Sequence, residues 1–308
     1  MVLAAKKEPT GEEIAAVTDR VFDLGNISGI EKPVSVQEPY KLASRNPNKK
    51  NTVIKIGNIK IGDGSINVIA GPCAVENRDQ LISIARAVKK SGATMLRGGA
   101  FKPRTSPYSF QGLGEEGLKI LAQAREKVGL PIVTEVTDEE SLPLVAKYAD
   151  VLQIGTRNAQ NFNLIKKVAR IGKPILLKRG MSSTIEEWLM AAEYILLEGN
   201  EQVILCERGV RGFDSFTRNI LDITAVPIIK HLSHLPIIVD PSHAIGKWRY
   251  VIKTSLAAIV AGADGVIVEV HNKPKEALCD GAQSLLPEKL EVLIKNIKEI
   301  EGYVRNCG

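Results

Sequence analysis

The chain changes rhythm near residue 66. Beyond it, short runs of apolar, often β-branched residues alternate with longer stretches whose apolar positions recur every three or four residues. The apolar runs are Ile66–Ala70, Thr94–Arg97, Pro131–Val136, Val151–Ile154, Pro174–Lys178, Val203–Cys206, Pro236–Val239 and Gly265–Val270. Their starts lie roughly 20 to 40 residues apart, room for a strand, a crossover helix and two turns. Each run is nearly continuous apolar sequence, as expected of parallel strands covered on both faces. Helical patterns fall between them at Arg78–Lys90, Gly114–Lys127, Glu139–Tyr148 and Thr184–Leu197, the last opened by a capping-box pair of Ser183 and Glu186. Eight such β/α units predict an α/β fold, a (β/α)8 TIM barrel, with a doubly wound open sheet as the alternative.

The segment ahead of the barrel has a different texture. Residues 53–62, VIKIGNIKIG, place two short alternating runs around Gly57-Asn58, the signature of a β-hairpin that could close the barrel's N-terminal end. Residues 1–45 hold one helical pattern, Gly11–Leu24, then a stretch with no clear period. So short a segment buries little core alone. The division expected is therefore an appendage over 1–50 and a catalytic barrel over 51–308.

Composition removes several classes. A 44% hydrophobic and 25% charged chain is ordinary globular protein. It has no apolar run of the roughly 20 residues that a membrane span needs. The lysines of MVLAAKKEPTGEE follow its apolar residues, unlike a signal peptide. Cysteines at 73, 206, 279 and 307 form no CxxC pair and suit a reducing, cytoplasmic setting. The net charge of +6 leaves any anion open as a partner. Residues 1–60 hold 10 basic and 7 acidic groups, leaving a nearly balanced 31 against 28 in the rest. Aromatics are only 5% and none interleave a basic stretch, which argues against nucleic acid.

In a TIM barrel the active site lies at the C-terminal ends of the strands. Reading those ends in order gives Cys73; Arg97, Lys102 and Arg104; Glu135; Arg157; Lys178 and Arg179; Glu207 and Arg208; Asp240 and His243; Glu269 and His271. Core strands favour apolar side chains, so packing explains this set poorly, although solvated loop charges or internal ion pairs could account for single members. Arg97, Lys102, Arg104, Arg157, Lys178 and Arg208 suit phosphate and carboxylate. Cys73, His243, Glu269 and Asp280 are all potential ligands of a divalent ion. Their spacing is no recognised metal motif, and on residues alone the preferred reading of Cys73 is a small buried hydrophobe and of His243 a lone loop histidine. Lys178 could also form a Schiff base with a carbonyl substrate.

The segments GPCAVEN at 71–77, LRGGAFKPRTSPYSFQGLG at 96–114 and QIGTRNAQN at 153–161 resemble those of 3-deoxy-D-arabino-heptulosonate-7-phosphate (DAHP) synthases of the short microbial, type Iβ-like group. LLKRGMSSTIEEW at 176–188, ILCERGVR at 204–211, VDPSHAIGK at 239–247, VIVEVH and ALCDGAQSL continue the similarity in order. The related 3-deoxy-manno-octulosonate-8-phosphate synthases share the barrel and phosphoenolpyruvate but carry a KANRSS-like segment in place of KPRTS.

The resemblance implies a shikimate-pathway enzyme that condenses phosphoenolpyruvate with erythrose 4-phosphate and water, releasing phosphate. It implies one divalent ion per subunit (Mn2+, Fe2+, Co2+ or Zn2+) on Cys73, His243, Glu269 and Asp280. It assigns phosphoenolpyruvate contacts to Arg97, Lys102, Arg157, Lys178 and Arg208, and the aldose phosphate to Arg104 and Thr105. Lys102 is the candidate proton donor, and Glu135 the candidate to orient or deprotonate water. Relatives are commonly homotetramers, and no nucleic-acid or membrane partner is expected. MVLAAKKEPTGEEIAAVTDRV matches only the opening strand and helix of the ferredoxin-like regulatory domain that many relatives carry, so feedback inhibition through such a domain is not expected. An arabinose 5-phosphate-using synthase and a non-catalytic sensor of phosphorylated metabolites are the alternatives.

Overall fold

The computed structural model describes residues 39–45 and 50–304. The expected appendage helix over Gly11–Leu24 and Cys307 lie outside the described residues. Two short strands, β1 (Ile54–Ile56) and β2 (Ile59–Ile61), come first. Eight parallel strands follow: β3 (Asn67–Gly71), β4 (Met95–Arg97), β5 (Ile132–Val136), β6 (Val151–Ile154), β7 (Ile175–Lys178), β8 (Val203–Glu207), β9 (Ile237–Val239) and β10 (Gly265–Glu269). They pair in chain order, and β10 pairs with β3 to close the barrel. Each starts within a residue of the apolar run that predicted it. The open-sheet alternative is excluded by that closure.

Both faces of these strands are buried, and for that reason the sequence hides their period of two. Val68, Leu96, Ile132, Leu152, Ile175, Val203, Ile237 and Val266 face outward into a core shared with the helices. Ile69, Met95, Val133, Val151, Leu176, Ile204, Ile238 and Ile267, one from each strand, form a separate cluster inside the barrel. Side chains two residues apart share a face, so the next inward positions are Gly71, Arg97, Glu135, Gln153, Lys178, Cys206, Asp240 and Glu269. The interior is an apolar floor beneath a polar, largely ionic ceiling.

The hairpin seals the floor. Ile54 pairs with Ile61 and Ile56 with Ile59 across the Gly57-Asn58 turn, where Gly57 at φ 58° takes the left-handed conformation that a tight two-residue loop needs at its first position. Ile54, Ile56 and Ile61 are buried against the interior cluster. A second fastening comes from residues 41–43, whose backbone N–H groups donate to the carboxylate of Glu193 at 2.8–3.0 Å. Glu193 is a buried acid in the helix Ile185–Leu197, satisfied by these amides. Tyr40–Arg45, expected within the appendage, thus packs on the barrel, and Arg45 N donates to Leu232 O.

The helix Ile185–Leu197 opens one residue later than its predicted cap. Thr184 and Glu187, not Ser183 and Glu186, form the reciprocal capping box. The Ser183 carbonyl instead accepts from Arg179 Nε at 2.9 Å, which fixes Ser183 in the preceding loop.

Two stability measurements follow. Ile61→Ala, which removes a fully buried side chain from the sealed floor, should destabilise the fold by roughly 2–5 kcal/mol in urea unfolding. Thr184→Ala should cost about 1 kcal/mol, and Ser183→Ala clearly less.

Candidate active site

The ceiling residues and the loops above them converge. The donor atoms of Cys73, His243, Glu269 and Asp280 all lie within 4.8 Å of one another. Cys73 stands two residues beyond β3, and Glu269 is the last residue of β10. His243 sits in the one-turn helix Pro241–Ile245, and Asp280 in the loop after β10. Cys73 Sγ is 3.4 Å from Asp280 Oδ2, and His243 Nε2 is 3.2 Å from Glu269 Oε1. That Glu269 oxygen is buried and accepts no hydrogen bond, although Arg97 Nη2 lies 3.1 Å away. Its partner Oε2 accepts from Gln283 Nε2 at 2.8 Å. An unsatisfied buried carboxylate oxygen beside a thiol, an imidazole and a second carboxylate fits a divalent cation.

Asp240 orients the histidine. Its Oδ1 accepts from His243 N at 2.9 Å as the helix cap, and its Oδ2 lies 2.7 Å from His243 Nδ1. The carboxylate is an acceptor, which assigns the proton to Nδ1 and leaves the Nε2 lone pair facing the cluster. Lys178 Nζ closes on the same Oδ2. Burial opposes ionisation of Asp240, but His243 and Lys178 outweigh it and hold the carboxyl well below its usual range. For His243, burial lowers the pKa, aided by Lys178 and opposed by Asp240 and Glu269, so the neutral ring is favoured.

Beside the cluster opens a cavity of about 330 Å3. Lys102, Arg104, Thr105, Glu135, Arg157, Lys178 and Arg208 line it, with His243, Cys279 and Asp280 on its wall. Two glycines make room for this arrangement. A Cβ on Gly99 would stand 2.7 Å from Lys102 Cδ and 2.8 Å from Cys73 O, blocking the fold-back in which Lys102 Nζ donates to Cys73 O at 3.1 Å. A Cβ on Gly155 would stand 1.9 Å from Glu135 Oε1. Burial works to lower the Lys102 pKa, but negative charge on Cys73, where its sulfur is ionised, and on Glu135 outweighs it and holds the ammonium above its usual value. Arg104 Nη1 contacts Cys279 Sγ at 2.6 Å, and Arg157 Nη1 donates to Pro103 O at 2.5 Å.

Of the predicted substrate contacts, Arg97 alone is absent from the cavity wall. It lies deeper, paired with Glu269, and its buried Nε and Nη1 have no hydrogen-bond partner. Other charged strand ends point elsewhere. Arg179 is directed out of the barrel, where Nη1 meets Glu207 at 2.9 Å and Asp222 at 2.8 Å. His271 lies behind the cluster, with Nε2 3.5 Å from Glu76 Oε1. Sequence reasoning missed Arg218, which lines the cavity with Nη1 3.4 Å from Asp280 Oδ2. It also missed Cys279, whose Sγ is 3.0 Å from Cys73 Sγ, and the orienting role of Asp240. The Asp-Pro-Ser-His spacing, an N-cap acid three residues before a histidine, was the signal for the last.

The DAHP synthetase I family model matches residues 37–306. A phospho-2-dehydro-3-deoxyheptonate aldolase of Thermotoga maritima is 52% identical over 290 residues, 94% of this chain and 85% of its own. A 2-dehydro-3-deoxyphosphooctonate aldolase of Syntrophobacter fumaroxidans is 31% identical over 265 residues, 80% of this chain and 91% of its own. The crystal structure of the Thermotoga maritima DAHP synthase superposes with a TM-score of 0.86 at 49% identity, covering 98% of this chain and 86% of that one. A truncated form of the Thermotoga maritima synthase gives 0.81 at 49% identity, covering 86% and 97%. Matched along almost its whole length, in sequence and in fold, the chain belongs to the DAHP synthetase I family.

Proposed function

We propose that this chain condenses phosphoenolpyruvate with erythrose 4-phosphate and water to give 3-deoxy-D-arabino-heptulosonate 7-phosphate and phosphate. The observation that carries the reading is a four-donor cluster opening directly onto a cation-lined cavity, in a chain of this family. The cluster of Cys73, His243, Glu269 and Asp280 would hold one divalent ion, which when bound supplies Lewis-acid polarisation of the aldehyde carbonyl.

The chain's own residues do the rest. Arg157, Lys178 and Arg208 hold the phosphoenolpyruvate anion; Arg97, which the resemblance assigns to it as well, lies deeper with Nε and Nη1 unpartnered. Arg104 and Thr105 hold the aldose phosphate. Two phosphates repel each other in solution, and this cation set offsets the repulsion while aligning C3 of the enol with the aldehyde carbon. Lys102, kept protonated beside Cys73 and Glu135, donates its proton to the alkoxide oxygen as the carbon–carbon bond forms. Glu135, held by Gln153 Nε2 at 3.2 Å, orients the water that adds to C2 before phosphate leaves. Lys178 lies against Asp240 Oδ2 on a cation-lined cavity, an arrangement that suits anion binding better than Schiff-base chemistry. The resemblance also supports a cytoplasmic homotetramer, with the segment before Tyr40 as an appendage to the catalytic barrel.

Erythrose 4-phosphate and arabinose 5-phosphate offered separately, with phosphoenolpyruvate consumption followed, should show a clear preference for the four-carbon sugar. Equal or reversed preference overturns the assignment. Chelation should abolish turnover and Mn2+ restore it, and Cys73→Ser should bind less metal at equilibrium dialysis. Full turnover by demonstrably metal-free protein would remove the metal from the reading. Lys178→Met should lower kcat/KM by about a hundredfold or more, with no borohydride-trapped adduct on the unaltered protein.

A further inference from the structure

Behind the cluster lies a buried polar group that the reaction does not use. The Glu76 side chain is only 8% exposed, three residues past Cys73 on the segment that leaves β3. Its Oε1 accepts from the backbone N–H of Leu278 at 2.9 Å. Its Oε2 accepts from Gln80 Nε2 at 2.7 Å, and that nitrogen also lies 2.7 Å from His271 Nε2. The His271 ring is fixed in turn, because Nδ1 accepts from Lys273 N at 3.0 Å. The carboxylate therefore ties the Cys73 segment to the loop that runs from β10 through Asp280.

That loop needs such a tie. Its C-terminal stem is pinned to β10, since Leu285 N donates to Glu269 O and His271 N donates to Leu285 O. Further out, Leu278 N reaches across to Glu76 instead of to its own loop. Two residues on, Asp280 has φ 51° and ψ 31°, and it alone among the described non-glycine residues has a positive φ. Such a conformation costs an L-residue on the order of 1 kcal/mol and persists only where its surroundings hold it. Gly281 adds a second constraint, since a Cβ there would stand 2.0 Å from Pro274 O.

We infer that Glu76 is a positioning residue of the metal centre, setting Asp280 against Cys73 through the Leu278 amide. The inference rests on the metal reading above. The carboxylate touches none of the four donors, yet it fixes the two backbone segments whose side chains stand 3.4 Å apart at Cys73 Sγ and Asp280 Oδ2. Losing it frees the outer loop while leaving every donor in the chain. Metal affinity then falls because the fourth donor must be ordered at the moment of binding.

The test measures Mn2+ affinity by competition with a chelator of known strength, alongside amide hydrogen exchange of residues 277–281 in metal-free protein. Glu76→Ala should weaken Mn2+ binding by about 10–100-fold, the usual effect of removing an outer-shell partner, and should speed exchange of that segment. Glu76→Gln keeps an acceptor oxygen for Leu278 N and should stay within a few-fold of the parent. Glu76→Asp keeps the charge but withdraws it by one methylene, and should resemble the alanine variant; it serves if that variant does not fold. Unchanged affinity in the alanine and aspartate variants, or a glutamine variant as weak as they are, overturns the proposal. Asp280→Asn separates the two readings. If it leaves Mn2+ affinity unaltered, the metal assignment itself fails; if it weakens binding while the Glu76 variants do not, only the positioning role falls.

Discussion

Alternation of side chains along a β-strand governs this molecule. Because inward positions recur every second residue, each strand can place an apolar side chain at one depth of the barrel and a charged one at the next. The first depth makes the core sealed by the hairpin, and the second, together with the loops above it, makes the candidate site. A one-residue slip in any strand would exchange these for side chains that face the helices. Arg179 and Glu207 illustrate the point. One position from Lys178 and Arg208, they pair with each other outside the barrel and contribute nothing to the cavity.

Gathering cations above an apolar floor is costly, and buried acids offset it. Asp240 answers Lys178 while it orients the neutral His243 ring, and Glu269 answers Arg97. These pairs leave the cavity-facing cations positioned before substrate arrives, so less reorganisation is required on binding. Removing one partner would strand a buried charge, a larger penalty than the pair itself contributes. The ionic layer is a single linked unit, in which Asp240 is shared between a candidate substrate contact and a candidate metal ligand.

Most of the barrel was legible in the sequence because eight apolar runs at crossover spacing have few other solutions. The hairpin was legible because Gly57-Asn58 sits between two alternating runs. The candidate site was legible as a set of strand-end charges, which the family's motifs divided into candidate metal donors and candidate substrate contacts. What stayed hidden depended on direction. Near-uniform burial conceals which strand-end charges turn inward, so Arg179 and Lys178 look equivalent in the sequence. Arg218 and Cys279 lie on irregular loops, where no periodicity announces them. The capping box shifted by a residue because Ser183 and Thr184 both satisfy the pattern, and only the loop's own hydrogen bonds choose between them.

The sealed floor also shapes molecular traffic. With Ile54, Ile56 and Ile61 packed into the base of the barrel, the cavity is a cul-de-sac whose mouth lies among the loops. Whatever enters that cavity does so from the loop face, since the opposite end of the barrel is filled with isoleucine. Three isoleucines at the base of the barrel thus set the side from which the candidate site is approached.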